Sequence, residues 1–162
     1  MKRKSVIAWA AVVAWMAVIF LFSAQTGDNS GNTSGEIVKW VIGLFYRNFA
    51  ELSVEKQTKI LEIVHLLIRK GAHFSEYAVL ALLTANALRP YSLSLLLRWV
   101  LPVAFCALYA VTDEIHQYFV PERACRFLDM CIDTAGAVFG VVAFMFLAFM
   151  RKYIVQKQQC VR

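Results

Sequence analysis

Seventeen consecutive apolar residues, Val6 to Phe22, leave this chain few folds to choose from. A run of that length is at the lower limit for crossing a bilayer as a helix. Three further apolar stretches follow. Gly71 to Leu88 stops at Arg89-Pro90, because proline disfavours helix in the residue before it. Leu95 to Phe119 is fully apolar from Trp99 to Val111 and contains Pro102, a source of kinks. Asp129 to Met150 ends at Arg151-Lys152. At about 1.5 Å per residue these stretches reach, some only just, across a hydrocarbon core of about 30 Å. Only 17% of the residues are charged, against about 25% in soluble domains. The expectation is one all-α polytopic membrane domain over residues 1–162, with four transmembrane helices at about 6–22, 71–88, 95–119 and 129–150. The alternative is a soluble bundle of apolar core helices.

The first run follows Lys2, Arg3 and Lys4 and so also resembles a signal peptide, but Leu21 and Phe22 are bulky where a cleavage site needs small side chains. It reads as an uncleaved first span. The loop at about 23–70 opens on a Ser/Gly/Asn/Thr-rich stretch, Ser23 to Ser34, read as irregular. Thr33-Ser34-Gly35-Glu36 then has capping-box form ahead of Ile37, Val38, Val41, Ile42, Leu44 and Phe45. A second helix is expected after Ser53, with Ile60, Val64, Leu67 and Ile68 on one face. These make one or two amphipathic helices lying at the interface or folded over the bundle. A fifth crossing through Ile37 to Phe49 is too short and carries Lys39 and Arg47.

Charge sets the orientation. With the amino terminus inside, the cytoplasmic segments hold Lys2, Arg3, Lys4, Arg89, Arg98, Arg151, Lys152, Lys157 and Arg162 and no acid, while all eleven Asp and Glu fall outside. The positive-inside rule therefore places both termini in the cytoplasm. The net charge of +6 is not gathered on one amphipathic face, so nucleic acid is not an expected partner. Cys106, Cys125, Cys131 and Cys160 form no C-x-x-C and no zinc spacing, and no structural disulfide is expected.

The same orientation brings three polar motifs to one outer level: Lys70 to Tyr77, Asp113 to Gln117 running on to Arg123, and Asp129 to Asp133. Ionisable groups near hydrocarbon are costly, which marks such clustering as a site. Lys70, His73 and Tyr77 share a helical face, as do Asp113 and Gln117, and Asp129 and Asp133. His73, Glu76, Asp113 and Glu114 are the candidates for acid/base work. Lys70, Tyr77, Gln117, Arg123, Arg126, Asp129 and Asp133 are the candidates for ligand binding, with arginine suited to clamping phosphate or carboxylate.

Bland readings stand beside these. Asp129 is also a first-turn acid favoured by the helix dipole. His73 is also an interfacial histidine bonded to a carboxylate, Glu76 a structural ion pair with Arg123 or Arg126, and Asp113-Glu114 a helix end at the water boundary. His116 is the least secure member. Tyr77, Tyr109 and Tyr118 read more readily as packing or belt aromatics than as chemistry. Gly136 and Gly140 form G-x-x-x-G, a close-packing signature. Histidine with carboxylates can hold a divalent metal, but no motif decides whether one binds and no cofactor is assigned. Ser75 and Cys125 are nucleophiles in principle, with nothing in the sequence to activate them.

Taken together, Phe22-Ser23-Ala24-Gln25, Arg69-Lys70-Gly71-Ala72-His73-Phe74-Ser75-Glu76-Tyr77, Asp113-Glu114-Ile115-His116-Gln117 through Pro121-Glu122-Arg123, and Asp129 through Gly136 to Gly140 resemble the VanZ-like family of small bacterial membrane proteins. The likeness runs in order from Phe20 to Gly140. Family members often carry Asn where this chain has Asp133, which puts in doubt any role needing a neutral amide there. The family is named for a member associated with low-level resistance to teicoplanin. The resemblance thus implies a role at the cell envelope and supplies no reaction.

Three expectations follow. The first is an outward-facing site that binds or modifies an anionic lipid or lipid-linked envelope precursor. The second is a non-enzymatic scaffold whose polar cluster locks four helices and docks a membrane-protein partner or a second copy. The third is an ion-coupled transporter, weakened by cytoplasmic halves that hold little polar beyond Asn86 and Arg98.

Overall fold

The computed structural model describes residues 2–25, 27–46, 48–121 and 123–160, with the side chains of 2, 27–34 and 160 excepted. Lys2, Thr33, Ser34, Arg47, Glu122, Cys160 and Arg162, each given a part above, therefore lie outside the described side chains. The described residues form five α-helices and no strand: α1 Lys2–Ser23, α2 Gly27–Phe45, α3 Val54–Leu88, α4 Leu95–Tyr118 and α5 Phe127–Cys160, with a 3-10 turn at Phe49–Glu51.

Several boundaries differ from expectation. The stretch read as irregular to Ser34 is helical from Gly27. Val38 and Ile42 bury against Val64, and a helix anchored in one half extends at little cost because nucleation is the expensive step. The loop helix expected after Ser53 and the span expected from Gly71 are one unbroken helix of 35 residues. Gly71 costs a helix only about 1 kcal/mol, and no proline stands there to stop it. At the other end α5 continues past Met150 to Cys160, since Arg151 and Lys152 are good helix formers. In α4 the helix passes through buried Pro102 without interruption.

Among the described residues, three helices are long and apolar enough to cross a membrane: Arg3–Ser23, Leu95–Tyr118 and Phe127–Gln159. The second half of α3 falls short because His73, Glu76 and Asn86 interrupt it. It is also well enclosed, burying Tyr77, Leu80, Ala81, Thr84, Ala85 and Ala87.

Side-chain contacts fix how the helices run. Trp15 meets Glu76 and Trp9 meets Tyr91, so α1 and α3 are antiparallel. Tyr109 reaches Met16 and Asp113 reaches Ser23, so α1 and α4 are parallel. Asp129 lies on Lys70, Asp133 by His73 and Gly140 on Ala78, so α3 and α5 are parallel too. Direction thus alternates along α1, α3, α4 and α5. The main core joins Val12, Ile19, Leu80, Cys106, Ala137 and Val141. A second, smaller one holds α2 against the first half of α3.

Candidate functional site

Alternating direction gathers the carboxy ends of α1 and α4, the start of α5 and the middle of α3 at one end of the bundle. Asp113 and Gln117 stack one turn apart on α4, where Gln117 Nε2 donates to Asp113 Oδ2 at 3.1 Å. Ser23, the last residue of α1, closes the ring. Its Oγ donates to Asp113 Oδ2 at 2.7 Å and accepts from Gln117 Nε2 at 3.0 Å. All three side chains are buried. Beyond α4 the chain turns back and Arg123 reaches inward, donating through Nε to the Gln25 carbonyl at 3.1 Å and through Nη1 to Gln117 Oε1 at 3.4 Å. Burial, then the nearby Arg69 charge, draws the Arg123 pKa below the usual arginine value, while Asp113, Glu114 and Glu76 pull it back.

The second half of the site lies between α3 and α5. Asp129, in the first turn of α5, takes Lys70 Nζ on Oδ1 and has Arg69 Nη2 at 3.9 Å from Oδ2. One turn further, fully buried Asp133 has His73 Nδ1 at 3.7 Å, just beyond hydrogen-bond length. Two glycines set this register. A methyl on Gly136 would lie 2.9 Å from the carbonyl carbon of Phe74, and one on Gly140 2.8 Å from that of Ala78. The G-x-x-x-G face of α5 is thus seated on the backbone of α3.

Other candidates fall as follows. Glu114 is fully buried and accepts from the Arg126 backbone N–H at 2.8 Å, so Arg126 contributes its main chain here. Glu76 forms no ion pair with Arg123 or Arg126 among the described residues, because Arg123 is engaged by Gln25 and Gln117; its carbonyl accepts from Trp15 Nε1 at 2.9 Å. Tyr77 is fully buried, its ring 6.2 Å from that of Tyr109. His116 stacks on Phe20, and Tyr118 is exposed, edge-on to Phe119. Ser75 Oγ donates to the Gly71 carbonyl of its own helix at 2.7 Å, and Cys125 is exposed and free, as is Cys131.

Three contributors were absent from the candidate residues: Ser23, the Gln25 carbonyl and Arg69. The motif Phe22-Ser23-Ala24-Gln25 held the signal for the first two, but without charge it stands out only through the family resemblance.

Among the described residues, seven buried side-chain atoms in this region have no hydrogen-bond partner: Tyr77 OH, His73 Nδ1, His116 Nε2, Asp113 Oδ1, Glu114 Oε1 and both oxygens of Asp133. Buried polar atoms are nearly always paired, so each open one needs a reason. Chemically the group offers a histidine beside a carboxylate for proton transfer and guanidinium groups for an anion. Among the described residues, no three His, Cys, Asp or Glu side chains converge to hold a metal ion.

The VanZ/LLP1 family model matches residues 8–149. The chain belongs to the VanZ/LLP1 family. That match starts inside α1 and ends in α5, taking in the whole site and the glycine seam beneath it. Family and apolar helices together make this a membrane protein. No curated protein and no solved structure matches the chain.

Proposed function

We propose that this VanZ/LLP1 protein crosses the bacterial membrane four times, through α1, the second half of α3, α4 and α5, with both termini cytoplasmic, and that its outward site binds or modifies an anionic lipid or lipid-linked envelope precursor. Alternating helix direction and an acid-free cytoplasmic charge set support the topology. On this reading α2 and the first half of α3 lie at the outer surface.

The observation that carries the site is the set of unpartnered buried atoms. Four of the seven belong to carboxylates and can only accept when ionised, so the ligand brings hydroxyl or amine donors. Arg123 is held by Gln25 and Gln117 through Nε and Nη1, and its Nη2, in no hydrogen bond among the described residues, is the donor left for a phosphate or carboxylate. Sugar-bearing lipid precursors and headgroups carry both kinds of group. His73 beside Asp133 is placed to take or give a proton if the ligand is modified.

A scaffold reading draws on the ring of Ser23, Asp113 and Gln117 and on the Lys70–Asp129 pair, which tie helices together. Teicoplanin susceptibility separates the two. A host expressing the wild type, His73→Ala, Asp113→Asn or Arg123→Ala is compared, with membrane abundance measured in each. Loss of protection at equal abundance is the expected result. Protection retained by all three variants refutes a working site, and loss that tracks abundance favours the scaffold. A wild type that gives no protection removes teicoplanin from the proposal.

A further inference from the structure

The opposite end of the bundle holds a second feature. Where α5 overshoots the end of α3 and the start of α4, an open groove of about 770 Å³ is lined by Arg89, Arg98, Arg151 and Lys152 above an apolar wall that includes Met145 and Phe149. Four cations thus face one groove, and none is in an ion pair among the described residues. Sequence explains why: no Asp or Glu occurs in 1–27, 78–112 or 134–162. Arg98 is anchored by neutral groups, donating to the carbonyls of Leu93 at 3.2 Å and Tyr91 at 3.5 Å, which fix its position without cancelling its charge.

We propose that this groove is a binding site for an anionic glycerophospholipid of the adjoining leaflet, the cytoplasmic one under the topology above. Charge complementarity selects the headgroup. Basic pockets between membrane helices on the cytoplasmic side suit phosphate headgroups, each Lys or Arg contributing about 1 kcal/mol. The order along α5 selects a lipid over a soluble anion. Met145 and Phe149 come first, then Arg151 and Lys152, so an acyl chain lies on the apolar wall while its phosphate meets the cations. The site lies at the other end of the helices from Asp113 and Asp133, and its occupancy does not depend on what that outer site does.

The test is native mass spectrometry of the full-length protein in detergent with dioleoylphosphatidylglycerol, and with dioleoylphosphatidylcholine as the matched zwitterion. The expected result is retained phosphatidylglycerol and little phosphatidylcholine. Arg151→Gln/Lys152→Gln, two exposed positions, should weaken retention about 25-fold, roughly fivefold for each cation. Arg3→Gln/Lys4→Gln removes the same charge from the same end outside the groove and should change it less than about twofold. Equal retention of the two lipids overturns the proposal, as does equal loss in the two charge variants. Displacement of the lipid by millimolar inorganic phosphate overturns it too, in favour of a free-anion site. Added phosphatidylglycerol should raise the melting temperature of the wild type and of Arg3→Gln/Lys4→Gln more than that of Arg151→Gln/Lys152→Gln, and equal rises in all three overturn the proposal.

Discussion

Gly140→Ala probes how the site is held together. A methyl at Gly140 would sit 2.8 Å from the carbonyl carbon of Ala78, and one at Gly136 2.9 Å from that of Phe74. Non-bonded carbons settle at about 3.5–4.0 Å, so α3 and α5 must part by roughly 1 Å. Both obstacles are backbone, and no rotamer change relieves them. Overpacking costs about 1–3 kcal/mol, and against backbone that cannot give way about 2–3 kcal/mol, of which alanine's better helix propensity returns about 1 kcal/mol. A net loss of about 1–2 kcal/mol lowers the melting temperature by roughly 2–8 °C in a chain of this size. The Asp133–His73 contact at 3.7 Å crosses the same seam and lengthens with it, so the teicoplanin protection proposed above should fall too. Gly71 supplies the control. Nothing lies within 4 Å of a methyl there, and Gly71→Ala should gain about 1 kcal/mol and melt roughly 2–4 °C higher. Thermal unfolding in detergent, followed by tryptophan fluorescence, reads all three variants. If Gly136→Ala and Gly140→Ala melt with the wild type, the two backbones are not in contact and the register argued for the site is wrong.

Three further substitutions test single contacts by the same melts. Ser23→Ala takes a donor from buried Asp113 and an acceptor from Gln117, and should cost about 1–3 kcal/mol; an unchanged melt means the α1–α4 ring is not formed. Lys70→Met leaves nearly buried Asp129 with only Arg69 at 3.9 Å, a loss of about 3 kcal/mol, and Lys70→Met/Asp129→Leu should recover most of it. Asp133→Asn keeps the shape of a fully buried side chain but puts an NH2 donor where one of two open acceptor oxygens stood, so the protein should melt no lower than wild type and lose the proposed protection; retained protection means the open Asp133 oxygens meet no ligand donor.

What the sequence made legible follows from what composition measures. An uninterrupted apolar run shows where hydrocarbon begins and ends, and the expected 95–119 agrees with Leu95–Tyr118 to a residue. It does not show where a helix ends. The change from charged to apolar at Lys70-Gly71 looked like a boundary, yet α3 runs through it, because backbone hydrogen bonding is indifferent to the solvent outside. The charged members of the site were legible for an energetic reason, since a membrane chain tolerates few of them. Ser23 and the Gln25 carbonyl were not, because a serine near a helix end is inexpensive and a carbonyl leaves no mark in sequence. Partner choice was also hidden. Glu76 and Arg123 have the right charges for each other, but only the fold shows that Arg123 turns to Gln25 and Gln117.

Asp113 carries the question of scaffold against site in one side chain. Its Oδ2 is spent on structure, accepting from Ser23 and Gln117, while its buried Oδ1 has no partner. Alanine removes both atoms and so confounds the two roles. Asparagine does not. Its amide oxygen can take the place of Oδ2 and keep the ring between α1 and α4, which leaves an NH2 donor where the open acceptor was. Removing a buried charge while keeping its shape costs the fold little. Asp113→Asn should therefore melt within about 1 kcal/mol of wild type and reach normal abundance, yet lose protection, because a ligand donor would meet a donor. Asp113→Ala should lose both. An asparagine variant that protects as well as wild type would mean that Oδ1 meets no ligand, and the cluster would then be a lock.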